Sequence, residues 1–73
     1  MAESTTRNEL FTALQSLSIA IPQMRGGQLM AAVGELCFDL HGRGLWEATD
    51  EEFREAIWQF QRNFEVAAMS SNR

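Results

Sequence analysis

The sequence predicts an all-α fold of three helices, and three observations carry the prediction. Apolar residues recur at three- and four-residue spacing in three separate stretches. The pattern Thr-x-x-Glu, which can close a helix N-terminus with two reciprocal hydrogen bonds, stands ahead of the first and third stretches. No stretch alternates apolar and polar residues with period two, and β-branched residues are sparse. The helices are expected over about 7–20, 25–41 and 50–68, with helix 2 central.

The first helix takes its start from Thr6 and Glu9 as a capping box. Leu10, Ala13, Leu14, Leu17 and Ile21 then form one apolar face. Phe11 and Ile19 fall off that face. Pro22 ends the helix, because a residue before proline is pushed out of the α region.

The second helix carries Leu29, Ala32, Val33, Leu36, Cys37 and Leu40 on its main stripe. Gly27, Ala31, Gly34 and Phe38 form a second line on nearly the opposite side. A helix that is apolar on two faces reads as the central, buried one. The small residues of the second line would let another backbone approach closely. Gly42 is the expected C′ residue, where glycine adopts the left-handed conformation at little cost.

The linker 43–48 carries Leu45 and Trp46, which are expected to plug the end of the core. Thr49 and Glu52 form a capping box for the third helix, and Asp50, Glu51 and Glu52 suit the positive end of its dipole. Phe53, Ala56, Ile57, Phe60, Phe64, Ala67 and Ala68 make its stripe. Asp50–Arg54 and Arg62–Glu65 are spaced for ion pairs along the helix. Trp58 lies away from the stripe.

Composition bounds the function. The chain has 73 residues, of which 45% are hydrophobic and 22% charged, a globular rather than a disordered balance. Six arginines and no lysine stand against ten acids, for a net charge of −4. An acidic domain of this size is poorly suited to nucleic acid or an anionic membrane surface. No apolar run reaches the roughly 18–20 residues of a membrane span. One cysteine excludes an internal disulfide and any cysteine-based zinc site. The polar start shows no signal-peptide pattern, so a reducing cytoplasm is expected. The chain reads as one domain, 1–73, with frayed polar ends at 1–5 and 70–73.

The segment Pro22-Gln23-Met24-Arg25-Gly26-Gly27-Gln28-Leu29 has the form Pro-x-x-Arg-x-Gly-Gln-Leu. The segment Leu45-Trp46-Glu47-Ala48-Thr49-Asp50-Glu51-Glu52-Phe53 follows as Leu-aromatic-x-x-x-Asp-x-Glu-Phe. The pairing resembles a scattered group of small uncharacterised bacterial proteins, over residues 22–60 at most. The resemblance implies a small bacterial protein of unknown function and carries over no particular activity.

Several residue groups have a chemical reading. The acids Glu47, Asp50, Glu51, Glu52 and Glu55 could draw a hard cation, but their spacing fits no calcium loop. They read as a solvated, dipole-complementary helix start, or as a dock for an arginine of another chain. Cys37 and His41 lie one turn apart, yet nothing orients the histidine and Cys37 falls on an apolar stripe. Gly26-Gly27 with Arg25 lacks the strand and further glycines of a phosphate loop. The link between helices 2 and 3 is too long for a helix-turn-helix, and helix 3 opens on acids. No catalytic, cofactor or metal residue is therefore expected.

Small size sets the remaining expectation. A domain near 60–70 residues buries only about 60% of its unfolded surface, and oligomerisation is one remedy. The chain is expected to be a non-catalytic protein–protein interaction module that forms a homodimer. Its candidate interface is Phe11, Gly27, Ala31, Gly34, Phe38 and Trp58. The alternative is a small regulatory or antitoxin-like factor acting on a nucleic acid or another protein.

Overall fold

A computed structural model describes the backbone of residues 2–71 and the side chains of residues 5–68. It contains three helices, α1 (Ala2–Ala20), α2 (Gly26–His41) and α3 (Asp50–Ser71), and the described residues include no strand. The fold is all-α, as the three apolar stripes predict. Of the terminal segments expected to fray, residues 1, 72 and 73 lie outside the described residues; α1 begins at Ala2 and α3 runs on to Ser71.

The helix boundaries follow local chemistry at four of six ends. Pro22 stops α1, whose last turn is closed by the Ile21 N–H donating to Leu17 O at 3.0 Å. At the start of α2 the Arg25 N–H donates to Gln28 Oε1 at 2.8 Å, so a glutamine side chain satisfies the residue that caps the helix. Gly42 closes α2 with φ 74°, and its N–H donates to Phe38 O at 2.8 Å. That left-handed conformation is where a side chain would strain the backbone. The capping box of α3 forms as predicted, with the Thr49 N–H donating to Glu52 Oε1 at 3.0 Å and the Glu52 N–H to Thr49 Oγ1 at 3.1 Å.

The other two ends differ from expectation. Thr6 does not cap α1, because the helix continues backwards to Ala2 and leaves Thr6 in its interior. Glu9, the other half of the expected box, reaches across to Arg54 of α3 instead. At its far end α3 outruns the packed body. Ala67 and Ala68 belong to the stripe by spacing, yet they are exposed together with Glu65 and Val66.

The three helices run up, down and up. Arg7 meets Asp50 and Glu9 meets Arg54, so α1 and α3 ascend side by side. The end of α2 meets the first turns of α3 through His41 and Glu55, and its middle lies by Phe60 and Phe64. The shared helix is α3, which packs along both others, whereas α1 and α2 meet each other only marginally. The expectation of a central α2 is corrected here, and the reason is the arc of the stripes. Ala56 and Ile57 are fully buried, and Phe53, Phe60 and Phe64 flank them, so α3 presents apolar surface to two neighbours. α2 buries only Leu29, Val33 and Cys37, and leaves Leu40 and Phe38 exposed.

The core is one cluster. α1 contributes Leu10, Ala13, Leu17 and Ile21; α2 contributes Leu29, Val33 and Cys37; α3 contributes Ala56 and Ile57. Met24 from the first turn and Leu45 from the second pack against its rim. No helix among the described residues is long and apolar enough to cross a membrane.

Candidate interaction surface

The six residues expected at an interface fall in three places. Ala31, Gly34 and Phe38 line one shallow groove on the outer face of α2, and Gly44 and Leu45 close its end. Gly27 extends the same face by about one turn, in open space. Trp58 lies on α3, and Phe11 on α1. At 100° per residue, Phe11 sits on the flank of α1 opposite the one facing Trp58. Phe11, Phe38 and Trp58 are 59%, 59% and 51% exposed. They do not form one continuous surface.

The groove on α2 is partly filled from within. A Cβ placed on Gly34 would meet Leu45 Cγ at 3.0 Å and Cδ1 at 3.3 Å. Gly34 therefore receives a side chain of its own chain's linker. The linker folds back because the Glu47 and Ala48 N–H groups both donate to Gly44 O, at 3.2 and 2.9 Å. This turn brings Leu45 inward and sends Trp46 out. Trp46 is 97% exposed, so the expectation that it plugs the core is overturned.

Trp58 is covered on one side by Arg54. The guanidinium carbon lies 4.8 Å from the ring centre, close enough for attraction to the aromatic face. Arg54 also forms an ion pair with Glu9, and its Nε is buried without a hydrogen-bond partner. Trp58 divides two clefts. One is walled by Thr5, Asn8, Glu9, Thr12 and Ser16 of α1, the other by Leu40, His41, Glu55, Gln59 and Arg62. No linker residue lines either cleft.

The acidic residues at the start of α3 are drawn apart by separate partners. Asp50 pairs with Arg7 at 2.6 Å, not with Arg54 as the spacing along the helix predicts. Glu52 pairs with Arg43 at 3.2 Å, and Glu55 lies 3.7 Å from His41 Nε2. Further along, Glu65 accepts a hydrogen bond from Gln61 at 3.3 Å. The Thr49 N–H, donating to the Glu52 carboxyl, holds it below the usual carboxylate range, with Arg43 and His41 adding to the effect. Two of these acids thus meet arginines of the same chain, Arg7 and Arg43, rather than one of another chain. Among the described residues no three His, Cys, Asp or Glu side chains converge as a metal would require.

Cys37 is fully buried, and its thiol is pushed up, chiefly by burial and secondarily by the nearby Glu52 charge. An attacking thiolate needs the opposite shift. His41 points its Nε2 towards Glu55 rather than serving as a base for Cys37. Arg25, Gly26 and Gly27 are exposed at the start of α2.

Sequence reasoning overlooked two carboxylates that the fold sets apart. Glu35 and Asp39 stand one turn apart on the exposed ridge of α2, between the Gly34 groove and a second groove against α3. Neither belongs to a described ion pair. The available signal was their i, i+4 spacing between two apolar stripes. No family model matches the chain, nor does any curated protein or solved structure.

Proposed function

We propose that the chain is a small, non-catalytic protein–protein interaction module that self-associates as a homodimer. The observation that carries this reading is the Trp58 patch. Trp58 and Leu40 are about half exposed, and Glu55, His41 and Arg62 surround them. A two-fold interface uses one patch twice, so charges lying in that patch find partners only if both signs are present. Arg62 of one copy opposite Glu55 of another meets that condition. A tryptophan flanked by arginine is also the composition favoured at the centre of interfaces.

The Gly34 groove is the poorer dimer seat, because Leu45 already occupies it. The dimer is therefore assigned to Trp58 and its surroundings, with Phe11 outside. A single buried cysteine supports a reducing, cytoplasmic setting.

Light scattering over a concentration series tests the proposal. The mass should approach twice 8.3 kDa at high concentration and fall on dilution. Trp58→Ser should shift the dissociation midpoint upward by roughly tenfold or more, as loss of an interface anchor does. A mass of one chain at every concentration, with the helices intact, would refute self-association. Retention on heparin at low salt would favour the regulatory alternative over this one.

A further inference from the structure

The open groove between α2 and α3 carries an inference beyond self-association, though it rests on the reading of the chain as an interaction module. Ala32 and Leu36 stand one turn apart on α2, and Phe60 and Phe64 one turn apart on α3. Together they floor a groove that no α1 residue lines. Leu36, Phe60 and Phe64 are only half-buried, so each leaves apolar area facing this groove. Two parallel ridges with a one-turn period match the side-chain spacing of an incoming helix.

The rims of the groove differ in charge. Glu35 and Asp39 form the α2 rim, and Asn63 stands on the α3 rim. Like charges one turn apart on a helix repel each other. Arg7, Arg43 and Arg54 are already paired with Asp50, Glu52 and Glu9. A second copy is a poor occupant, since a two-fold arrangement sets Glu35 and Asp39 opposite either themselves or Asn63, and neither supplies a positive charge.

We propose that the α2–α3 groove takes a basic amphipathic helix from a different polypeptide. Its apolar face lies on Leu36, Phe60 and Phe64, and its arginine or lysine side chains meet Glu35 and Asp39. Glu35 and Asp39 act as specificity residues: they repel acidic helices, and the cations of a bound basic helix relieve their mutual repulsion.

The test uses a synthetic helical peptide of about 18 residues, with leucines at three- and four-residue spacing and arginines along one flank. A charge-reversed peptide with glutamate for arginine serves as the control. Amide shifts of the full chain should move at residues 32–39 and 60–64 in a saturable titration with the arginine peptide, and not with the glutamate peptide. The exposed double variant Glu35→Gln, Asp39→Asn keeps the fold and should weaken binding roughly fivefold to tenfold, two surface ion pairs' worth. No saturable binding, affinity unchanged in the double variant, or shifts centred on Trp58 would each overturn the proposal. So would movement of the 32–39 and 60–64 amides on simple dilution, which would make the groove a seat for a second copy. The mass of the peptide-free protein is measured in parallel. A dimer that ignores the peptide refutes the groove alone, and a monomer that binds it refutes self-association alone.

Discussion

Leu45 lies over Gly34 closely enough that a single methyl group at residue 34 would meet its Cγ at 3.0 Å. The contact ties the α2–α3 linker to the middle of α2. It also converts a residue that looks like a helix-docking notch into an internal packing site. A Gly→Ala change in a helix ordinarily stabilises by about 1 kcal/mol, through backbone entropy. Here the gain is opposed by displacement of Leu45, so Gly34→Ala should change stability little. Gly34→Leu should destabilise by about 1–3 kcal/mol through overpacking. Denaturant midpoints of Gly34→Ala, Leu45→Ala and the double variant should reveal a coupling of about 0.5–1 kcal/mol. Strict additivity would mean that the two side chains do not compete for one space.

Cys37 gives a prediction with a pH sign. Its thiol is raised in the folded chain, so the fold favours the neutral form. The associated stability is fully present below the unfolded thiol's pKa, about 8.5, and is lost as pH rises through the higher folded value. Melting temperature should therefore fall faster with alkaline pH in the natural chain than in Cys37→Ala. The same thiol should react with a maleimide only as fast as the protein opens. Cys37→Ser should cost more than Cys37→Ala, about 1–3 kcal/mol, because it buries a hydroxyl without a partner. Equal pH profiles for the natural chain and Cys37→Ala would contradict the burial.

Thr49 and Glu52 act on the acid side. The lowered Glu52 pKa means a stabilising contribution present above the ordinary carboxylate range and lost as pH falls through the folded value. Glu52→Gln should flatten this part of the acid-denaturation curve. Thr49→Ala removes the hydroxyl that accepts the Glu52 N–H and should cost about 1 kcal/mol at neutral pH. A stability curve for Glu52→Gln that parallels the natural chain down to acid unfolding would count against the cap as the cause.

Particular residues show how far the sequence could be read. The stripes of Leu10 to Ile21 and Phe53 to Phe64 are local periodicities, and a helix turns them directly into faces. Thr49 and Glu52 were legible because a capping box needs only its own four residues. Thr6 and Glu9 have the same spelling and a different outcome. There the helix extends backwards past Thr6, and Arg54, forty-five residues away, claims Glu9. Leu45 and Trp46 are adjacent and similarly apolar, yet a turn on Gly44 O buries one and exposes the other. The acidic ridge of Glu35 and Asp39 became a feature only when α3 placed Phe60 and Phe64 beside it. The pairing of Glu9 and the acidic ridge depend on contacts between segments distant in the chain, whereas the fates of Leu45 and Trp46 hang on a local turn that their apolar character does not announce.

The sharing of α3 between two helices that scarcely touch has a consequence for how the chain is born. Synthesis runs from α1 to α3, so the organising helix emerges from the ribosome after the two that depend on it. Until then Leu10, Leu17 and Ile21 on one segment, and Leu29 and Val33 on another, have no native surface to bury against. These side chains therefore lack their native partners until Ala56 and Ile57 arrive. Transiently uncovered apolar surface of this kind is what chaperones recognise and what drives aggregation. A permuted chain that begins with α3 would reverse that order, offering each later helix a surface as soon as it emerged.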